Sequence, residues 1–345
     1  MIFGTRTSPH VVAQDHSVAQ VMRQVLYALL PGTLMLIVLF GWGTLSNLVL
    51  GIILALLFEI IMLKLRQRPL QPFLSDYSVV VTGWLLAIAL PPYSPWWLIA
   101  IALVFAVIIG KHLYGGLGYN PFNPAMVGYA AVLVSFPLEM TLWAQPFAAG
   151  FGQLGFTDML QQVFGANLSN WDAYTQATPL DYVKVNVGLG QSLASIVQAA
   201  PFGYLGGKGW ELVSIAYLVG GVWLIWRGII SWHIPVGLLA ALAGMAGLFW
   251  LIDMHTYPSP LFHLLSGASM LGAFFIATDP VSASTTPLGK LLYAGGIGCF
   301  TYIIRTWGNY PDAIAFSVLI MNMAVPLLDY YTQPRVYGTR RKLRP

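Results

Sequence analysis

Apolar segments long enough to cross a lipid bilayer recur along almost the whole chain, and they limit what it can fold into. A helix of about 20 residues crosses the roughly 30 Å hydrocarbon layer of a membrane. Only 8% of the 345 residues are charged, against about 25% in an average soluble domain. Hydropathy predicts roughly ten spans, giving an all-α polytopic membrane protein. The approximate spans are 20–40, 45–63, 75–91, 95–111, 122–137, 210–226, 234–252, 263–277, 290–305 and 311–328.

The distribution of basic residues predicts the orientation of these spans. With the N-terminus inside, only Lys184, Lys208 and Arg305 of the 16 Lys and Arg residues fall on the outer side. The positive-inside rule therefore predicts cytoplasmic termini and an outer loop at 138–209. In a Gram-negative cell this means a multi-pass inner-membrane protein with a periplasmic loop. This topology accounts for the positive charge, so nothing in the sequence indicates nucleic-acid binding.

The two halves that flank the loop are related in sequence. Gly83–Pro91 aligns without gaps on Gly272–Pro280, and Gly118–Pro121 aligns on Gly308–Pro311 at almost the same offset. The first copy is predicted to run outward and the second inward, which defines two inverted repeats of about five spans each. The alternative is that Gly, Pro and apolar residues align easily in any membrane protein. We therefore expect a first repeat, a loop, a second repeat and a basic cytoplasmic tail at 1–137, 138–209, 210–328 and 329–345.

The loop contains a short motif that indicates a redox cofactor. Asp172, Thr175, Ala177 and Thr178 form the pattern Asp-x-x-Ser/Thr-x-Ala-Thr, which resembles the signal by which a flavin transferase esterifies FMN onto the last threonine. The alternative is that Thr178 caps a helix or turn. The predicted topology places Thr178 on the outer side, where such transfer occurs. Cys299 is the only cysteine, so a four-thiolate iron–sulfur cluster is excluded within the chain and a flavin is favoured.

Polar groups near predicted helix ends indicate a second site. The segments Gly115–Pro124 and Thr278–Thr285 are rich in Gly, Asn and hydroxyl groups, and both fall toward the predicted cytoplasmic side. Inverted repeats place ligands beside broken helices, so these segments suit an uncharged polar ring or a cation; the alternative is turns and helix caps. Glu59 lies in an apolar run about one turn from Lys64. It is either part of an ion pathway or an ion-paired or snorkelling residue at the interface.

Longer motifs carry a family resemblance. They are KHLYGGLGYNPFNPAM at 111–126, HLLSGASMLGAFFIATDPVSAS at 263–284, ATPLD at 177–181 and PLLDYYTQPRVYG at 326–338. Together they resemble the D subunits of Rnf electron-transport complexes and, more distantly, the B subunits of sodium-translocating NADH:quinone reductases. The resemblance covers nearly the whole chain in the same order.

The resemblance implies a subunit of an ion-translocating oxidoreductase with no stand-alone activity. It implies FMN on Thr178, a noncovalent riboflavin, and coupling of ferredoxin–NAD electron transfer to movement of Na+ or H+. It also implies partner subunits A, B, C, E and G. We expect the riboflavin beside Asn120, Asn123 and Asp279. The rivals are a redox-inactive ion or solute transporter, the homologous quinone reductase subunit, and a purely structural membrane subunit.

Overall fold

Helices dominate the first half of the chain. The computed structural model describes residues 17–146, 154–165, 171–198, 202–203, 206–310 and 312–333. Ser17 starts the first helix with a capping box, in which its hydroxyl accepts from the backbone N–H of Gln20 and the Gln20 side chain accepts in return. The helices are α1 Val18–Phe40, α2 Trp42–Leu65, α3 Leu70–Leu74, α4 Ser78–Ala89, α5 Trp96–Leu103 with a π-helical continuation Val104–His112, and α6 Pro124–Ser135.

The predicted loop contains short helices and a two-stranded antiparallel sheet, which the all-α prediction did not include. Trp143 lies opposite Gln176 and Ala144 opposite Thr175. The sheet therefore fixes the segment just before Thr178. The elements are α7 Pro137–Thr141, β1 Trp143–Ala144, α8 Phe156–Phe164, a 3₁₀ turn Trp171–Tyr174, β2 Thr175–Gln176, α9 Pro179–Gly188 and α10 Leu193–Ile196.

The second half also consists mainly of long helices, one of which is broken. Its elements are α11 Trp210–Trp226, α12 His233–Ile252, α13 Pro260–Leu265, α14 Ser269–Leu271 with a π-helical continuation Gly272–Ile276, α15 Pro287–Trp307 and α16 Ile314–Thr332. The predicted span at 263–277 is interrupted between α13 and α14, where Gly267 adopts a φ of 63°. That break supplies a helix end inside the protein.

The lengths of these helices confirm a multi-pass helical membrane protein. Six helical segments in the described part are long and apolar enough to cross a membrane, and three more are apolar but shorter. The exact number of ten crossings stays a prediction. The six are Val18–Phe40, Trp42–Leu65, Leu70–Ala89, His233–Ile252, Pro287–Trp307 and Ile314–Thr332; the three are Trp96–His112, Pro124–Ser135 and Trp210–Trp226.

Close helix packing joins the two halves. A Cβ atom at Gly220 in α11 would lie 2.0 Å from the carbonyl oxygen of Ala28 in α1, so only glycine allows these backbones to meet. Helices α1 and α11 hold equivalent places in their halves, and one apolar core contains buried residues of both. The inverted repeat, including the orientation of its two copies, stays a prediction.

Candidate functional site

Thr178 has the position of a helix cap. Its Oγ1 accepts a hydrogen bond of 3.3 Å from the backbone N–H of Asp181, at the start of α9. The capping interpretation of this threonine is therefore correct locally. Pro179 follows at the first helical position, where its missing N–H costs nothing. The half-buried side chain also lines a cavity, so capping and cofactor attachment are compatible.

The segment that carries Thr178 is held from two sides. On one side, Gln145 donates from its backbone N–H to Tyr174 O and from Nε2 to Thr175 O, both at 3.0 Å. On the other, Gly207 lies against Pro179 so closely that a Cβ atom at Gly207 would be 2.1 Å from Pro179 Cγ. The position of the Thr178 hydroxyl therefore depends on packing as well as on helix capping.

The other motif residues precede Thr178 in order. Thr175 lies in β2 and Ala177 follows that strand, and both are half-buried. The backbone of Asp172 lies in the 3₁₀ turn, but its side chain falls outside the described part of the structure. The sheet register, which the sequence did not predict, fixes the extended conformation of the motif.

The larger cavity beside the threonine, which we call the Thr178 cavity, has a volume of about 240 Å³. Its walls come from both halves and from the loop, and they are mostly apolar and aromatic. A planar ring suits such walls, because aromatic faces pack against one another. The rings of Trp143 and Trp210 lie 5.1 Å apart at one edge. The aromatic residues that line the cavity are Tyr129, Trp143, Trp210, Tyr217 and Tyr310.

Charged groups border this cavity. Asp181 and Asp312 both line it, and the exposed Lys208 borders a small recess on another side of Thr178. Burial raises the pKa of the Asp181 carboxyl, and the nearby Lys184 ammonium opposes that shift. Lys184 donates to the carbonyl oxygens of Ile304 and Tyr310 at 3.4 and 3.3 Å, which ties α9 to the second half.

Arg305 is buried and contacts a residue that lines the Thr178 cavity. It is ion-paired with Asp312 at 3.5 Å. Its buried guanidinium also donates to the carbonyl oxygens of His263 and Ser266 at 2.8 and 3.3 Å. These two carbonyls lie at the end of α13 and at the helix break. Arg305 therefore satisfies backbone groups that the break leaves without helical partners.

A second cavity, the Asn120 cavity, has a volume of about 100 Å³ and brings together the three residues predicted to hold riboflavin. Asn120 and Asn123 come from the first half, and Asp279 comes from the second. Asn120 Nδ2 donates to Phe122 O at 3.0 Å, while its buried Oδ1 has no hydrogen-bond partner among the described residues. A buried acceptor without a partner is costly, so it points to a donor on a ligand or water.

The other two residues carry structural roles besides lining the cavity. Asn123 caps α6 by accepting from Met126 N at 3.2 Å, and its Nδ2 donates to Ile276 O at 3.1 Å. Asp279 accepts from the backbone N–H and the hydroxyl of Ser282, at 3.2 and 2.6 Å. The alternative of turns and helix caps therefore also holds locally, since Asn123 caps α6 and Asp279 accepts within a turn.

The two cavities share a wall. Asn123 and Ala125 line the Asn120 cavity, whereas Met126 and Ile276 line the Thr178 cavity. Ala125 and Met126 are adjacent in α6 and line different cavities, so the start of α6 lies between the two. The sequence could not predict this proximity, because it depends on how the two halves pack.

Glu59 is ion-paired, but not with the predicted neighbour Lys64. Its fully buried carboxylate accepts from Lys111 Nζ at 2.8 Å and lies 3.0 Å from His112 Nε2. Arg66 Nη1 lies 3.3 Å from His112 Nδ1. The same Arg66 nitrogen also donates to the carbonyl oxygen of His112 at 3.3 Å. Sequence reasoning missed both partners because they belong to another helix.

Comparisons with known proteins agree with this architecture. A family model described as the NQR2, RnfD, RnfE family matches residues 4–338. A protein of Ectopseudomonas mendocina is 53% identical over 338 residues, which cover 97% of this chain and 96% of the relative. One from Pseudomonas aeruginosa is 51% identical over 340 residues, covering 98% and 96%. One from Shigella dysenteriae is 47% identical over 352 residues, covering 99% and 100%. All three relatives are named as the D subunit of an ion-translocating oxidoreductase complex.

Proposed function

The chain belongs to the NQR2, RnfD, RnfE family, and on that premise we propose that it is the electron-carrying D subunit of an Rnf-type complex. It is a membrane subunit of an ion-translocating oxidoreductase. Within this proposal it carries FMN esterified to Thr178 and a noncovalent riboflavin in the Asn120 cavity. Bound there, the two flavins supply redox chemistry that the side chains of the protein do not have.

The surroundings of Thr178 fit an esterified phosphate. The N-terminus of α9 presents backbone N–H groups and the positive end of the helix dipole, both of which favour an anion. Thr178 lines the cavity of about 240 Å³, and the aromatic side chains in its walls suit a planar ring. The exposed ammonium of Lys208 lies at the recess beside Thr178 and offers a positive charge.

The Asn120 cavity fits the second flavin. The edge of a flavin ring carries an N–H donor between two carbonyl acceptors, and Asn120 Oδ1 offers a buried acceptor without a partner among the described residues. Asn123, Asp279 and two phenylalanines, Phe274 and Phe275, line the same space. These residues hold and orient the ring and exclude water from it.

The observation that carries the proposal is the shared wall between the two cavities. Asn123 lines one, Ile276 lines the other, and the two residues are hydrogen-bonded at 3.1 Å. A subunit that relays electrons across a membrane needs two redox sites close together. A transporter without a redox cofactor has no need for a flavin-transferase motif beside one of them.

Membership of the family supports a proposal for the complex and for the orientation of the chain in the membrane. We propose an inner-membrane location with Thr178 on the periplasmic side, FMN attachment by a flavin transferase, and partner subunits A, B, C, E and G. The complex couples ferredoxin–NAD electron transfer to movement of Na+ or H+. The broken helix beside the Thr178 cavity gives ion movement a site where packing can change with redox state.

The test is flavin retention after denaturation. The complex is purified from cells with a working flavin transferase, separated on a denaturing gel and viewed under ultraviolet light. We expect fluorescence at the band of this chain and its loss in both Thr178→Ala and Thr178→Asn. The asparagine variant keeps the helix cap but has no hydroxyl to esterify. An unmodified peptide containing Thr178 from the wild-type complex would refute the covalent FMN and favour the redox-inactive transporter.

A further inference from the structure

Lys111 faces the Asn120 cavity with one hydrogen-bond donor unused among the described residues. Its ammonium carries three N–H donors. Within that part of the chain, its acceptors are Glu59 Oε1 at 2.8 Å and Ser78 Oγ at 3.2 Å. The side chain is 4% exposed, and the residue lines the cavity. One N–H is therefore available to a group that occupies this space.

Among the described residues, Lys111 forms an ion pair with one carboxylate, that of Glu59. Glu59 accepts from Lys111 Nζ at 2.8 Å and lies 3.0 Å from His112 Nε2. In a buried environment of low dielectric, charges interact much more strongly than in water. Any negative charge that enters the cavity therefore interacts with the Lys111 ammonium, and Glu59 partly offsets that attraction.

The position of Lys111 affects the reduction of a ring that accepts electrons in this cavity. Reduction adds negative charge to the ring, and a nearby cation stabilises the reduced form. Asn120 Oδ1 offers an acceptor, and Lys111 offers a donor in the same cavity. A flavin edge, with its N–H between two carbonyls, is complementary to this pair.

We propose that Lys111 binds the noncovalent flavin and raises its reduction potential, and that Glu59 limits the increase. The inference rests on the proposed riboflavin site and assigns a specific role to two residues near it. It concerns the equilibrium between oxidised and reduced flavin and adds no chemical step. The opposite charges of the two residues predict opposite effects when each is neutralised.

The experiment uses the whole complex with Thr178→Asn in this chain, which removes its covalent flavin. Noncovalent flavin is released by denaturation, and riboflavin is separated from FMN by chromatography. The midpoint potential of the noncovalent flavin is then measured by spectroelectrochemical titration. The variants are Lys111→Met, Lys111→Arg and Glu59→Gln. Lys64→Met is the matched control, since Lys64 is exposed at the end of α2.

We expect a lower potential in Lys111→Met, a higher potential in Glu59→Gln, and wild-type values in Lys64→Met and Lys111→Arg. If Lys111→Met loses the flavin, retention in Lys111→Arg supports the binding role, and the upward shift in Glu59→Gln still tests the potential. Riboflavin bound with unchanged potentials, or shifts in the same direction, overturns the inference and leaves the proposed function intact. A wild-type complex without noncovalent riboflavin overturns the second flavin itself.

Discussion

Asn123 Nδ2 donates to the carbonyl oxygen of Ile276 at 3.1 Å, and this bond joins the two halves of the protein where its two cavities meet. Asn123 begins α6, and Ile276 ends the π-helical segment after α14. The asparagine also caps its own helix. One side chain therefore links helix formation, packing between the halves and the wall between the candidate cofactor sites.

Substitution of Asn123 should separate these roles. Asn123→Ala removes the helix cap and the bond to Ile276, so we expect the free energy of unfolding to fall by about 2 kcal/mol. Asn123→Ser keeps a capping hydroxyl but is too short to reach Ile276, so about half of that loss is expected. Thermal unfolding of the purified protein in detergent measures both. Equal stability of the two variants would show that the cap contributes nothing.

Asn120 should matter for ligand binding. Its Oδ1 has no partner among the described residues, so Asn120→Leu removes an acceptor that only a ligand or water satisfies. We expect the purified complex to lose noncovalent riboflavin while the covalent FMN on Thr178 is retained. Asn186→Leu is the control, because Asn186 lies in α9 and bonds to Tyr182 within that helix. Full riboflavin content in Asn120→Leu would place the ring elsewhere.

Gly207 should control the position of the acceptor threonine. A Cβ atom there would lie 2.1 Å from Pro179 Cγ, so Gly207→Ala must move Pro179 or the turn that holds it. We expect the fraction of chains carrying FMN, measured by intact-protein mass, to fall several-fold. The control is Gly188→Ala at the exposed end of α9, where a Cβ atom meets nothing within 4 Å. Flavin attachment equal in both variants would contradict a positioning role.

Arg305 should be important for stability. Arg305→Gln removes the charged donor that reaches the carbonyls of His263 and Ser266, and it takes away the cation paired with Asp312. The Ser269 hydroxyl, which also donates toward these two carbonyls, is unchanged. A loss of about 2 kcal/mol in unfolding free energy is expected, because hydrogen bonds to charged groups contribute about 1.5–3 kcal/mol each. Arg227→Gln provides the comparison, since Arg227 ends α11 at an exposed position over the Trp223 ring. Thermal unfolding should be nearly unchanged there.

The sequence predicted the helical membrane architecture well, because hydrophobic periodicity and length follow directly from the apolar segments. It also predicted that Asn120, Asn123 and Asp279 lie together, and one cavity contains all three. It left the role of Glu59 open and named no partner on another helix, since only local spacing such as that to Lys64 can be read from the sequence. The actual partners, Lys111 and His112, are brought close by packing of α2 against the end of the π-helix.

Other features depend on the three-dimensional arrangement alone. The β1–β2 pair is too short for a strand pattern to reveal it. The contact between Gly207 and Pro179 and the shared cavity wall arise from segments far apart in the chain. Flavin attachment and the membrane orientation of Thr178 stay predictions, with flavin retention on denaturing gels as the test of the first.

The π-helical segment Val104–His112 makes the length of this region as important as its composition. A π turn corresponds to one residue more than an α turn. If the same residues wound as an α-helix, the side chains that follow would be rotated by about 100°. Lys111 and His112 would then turn away from Glu59 although no charged residue had been changed. Any redesign of this segment therefore has to preserve its π geometry.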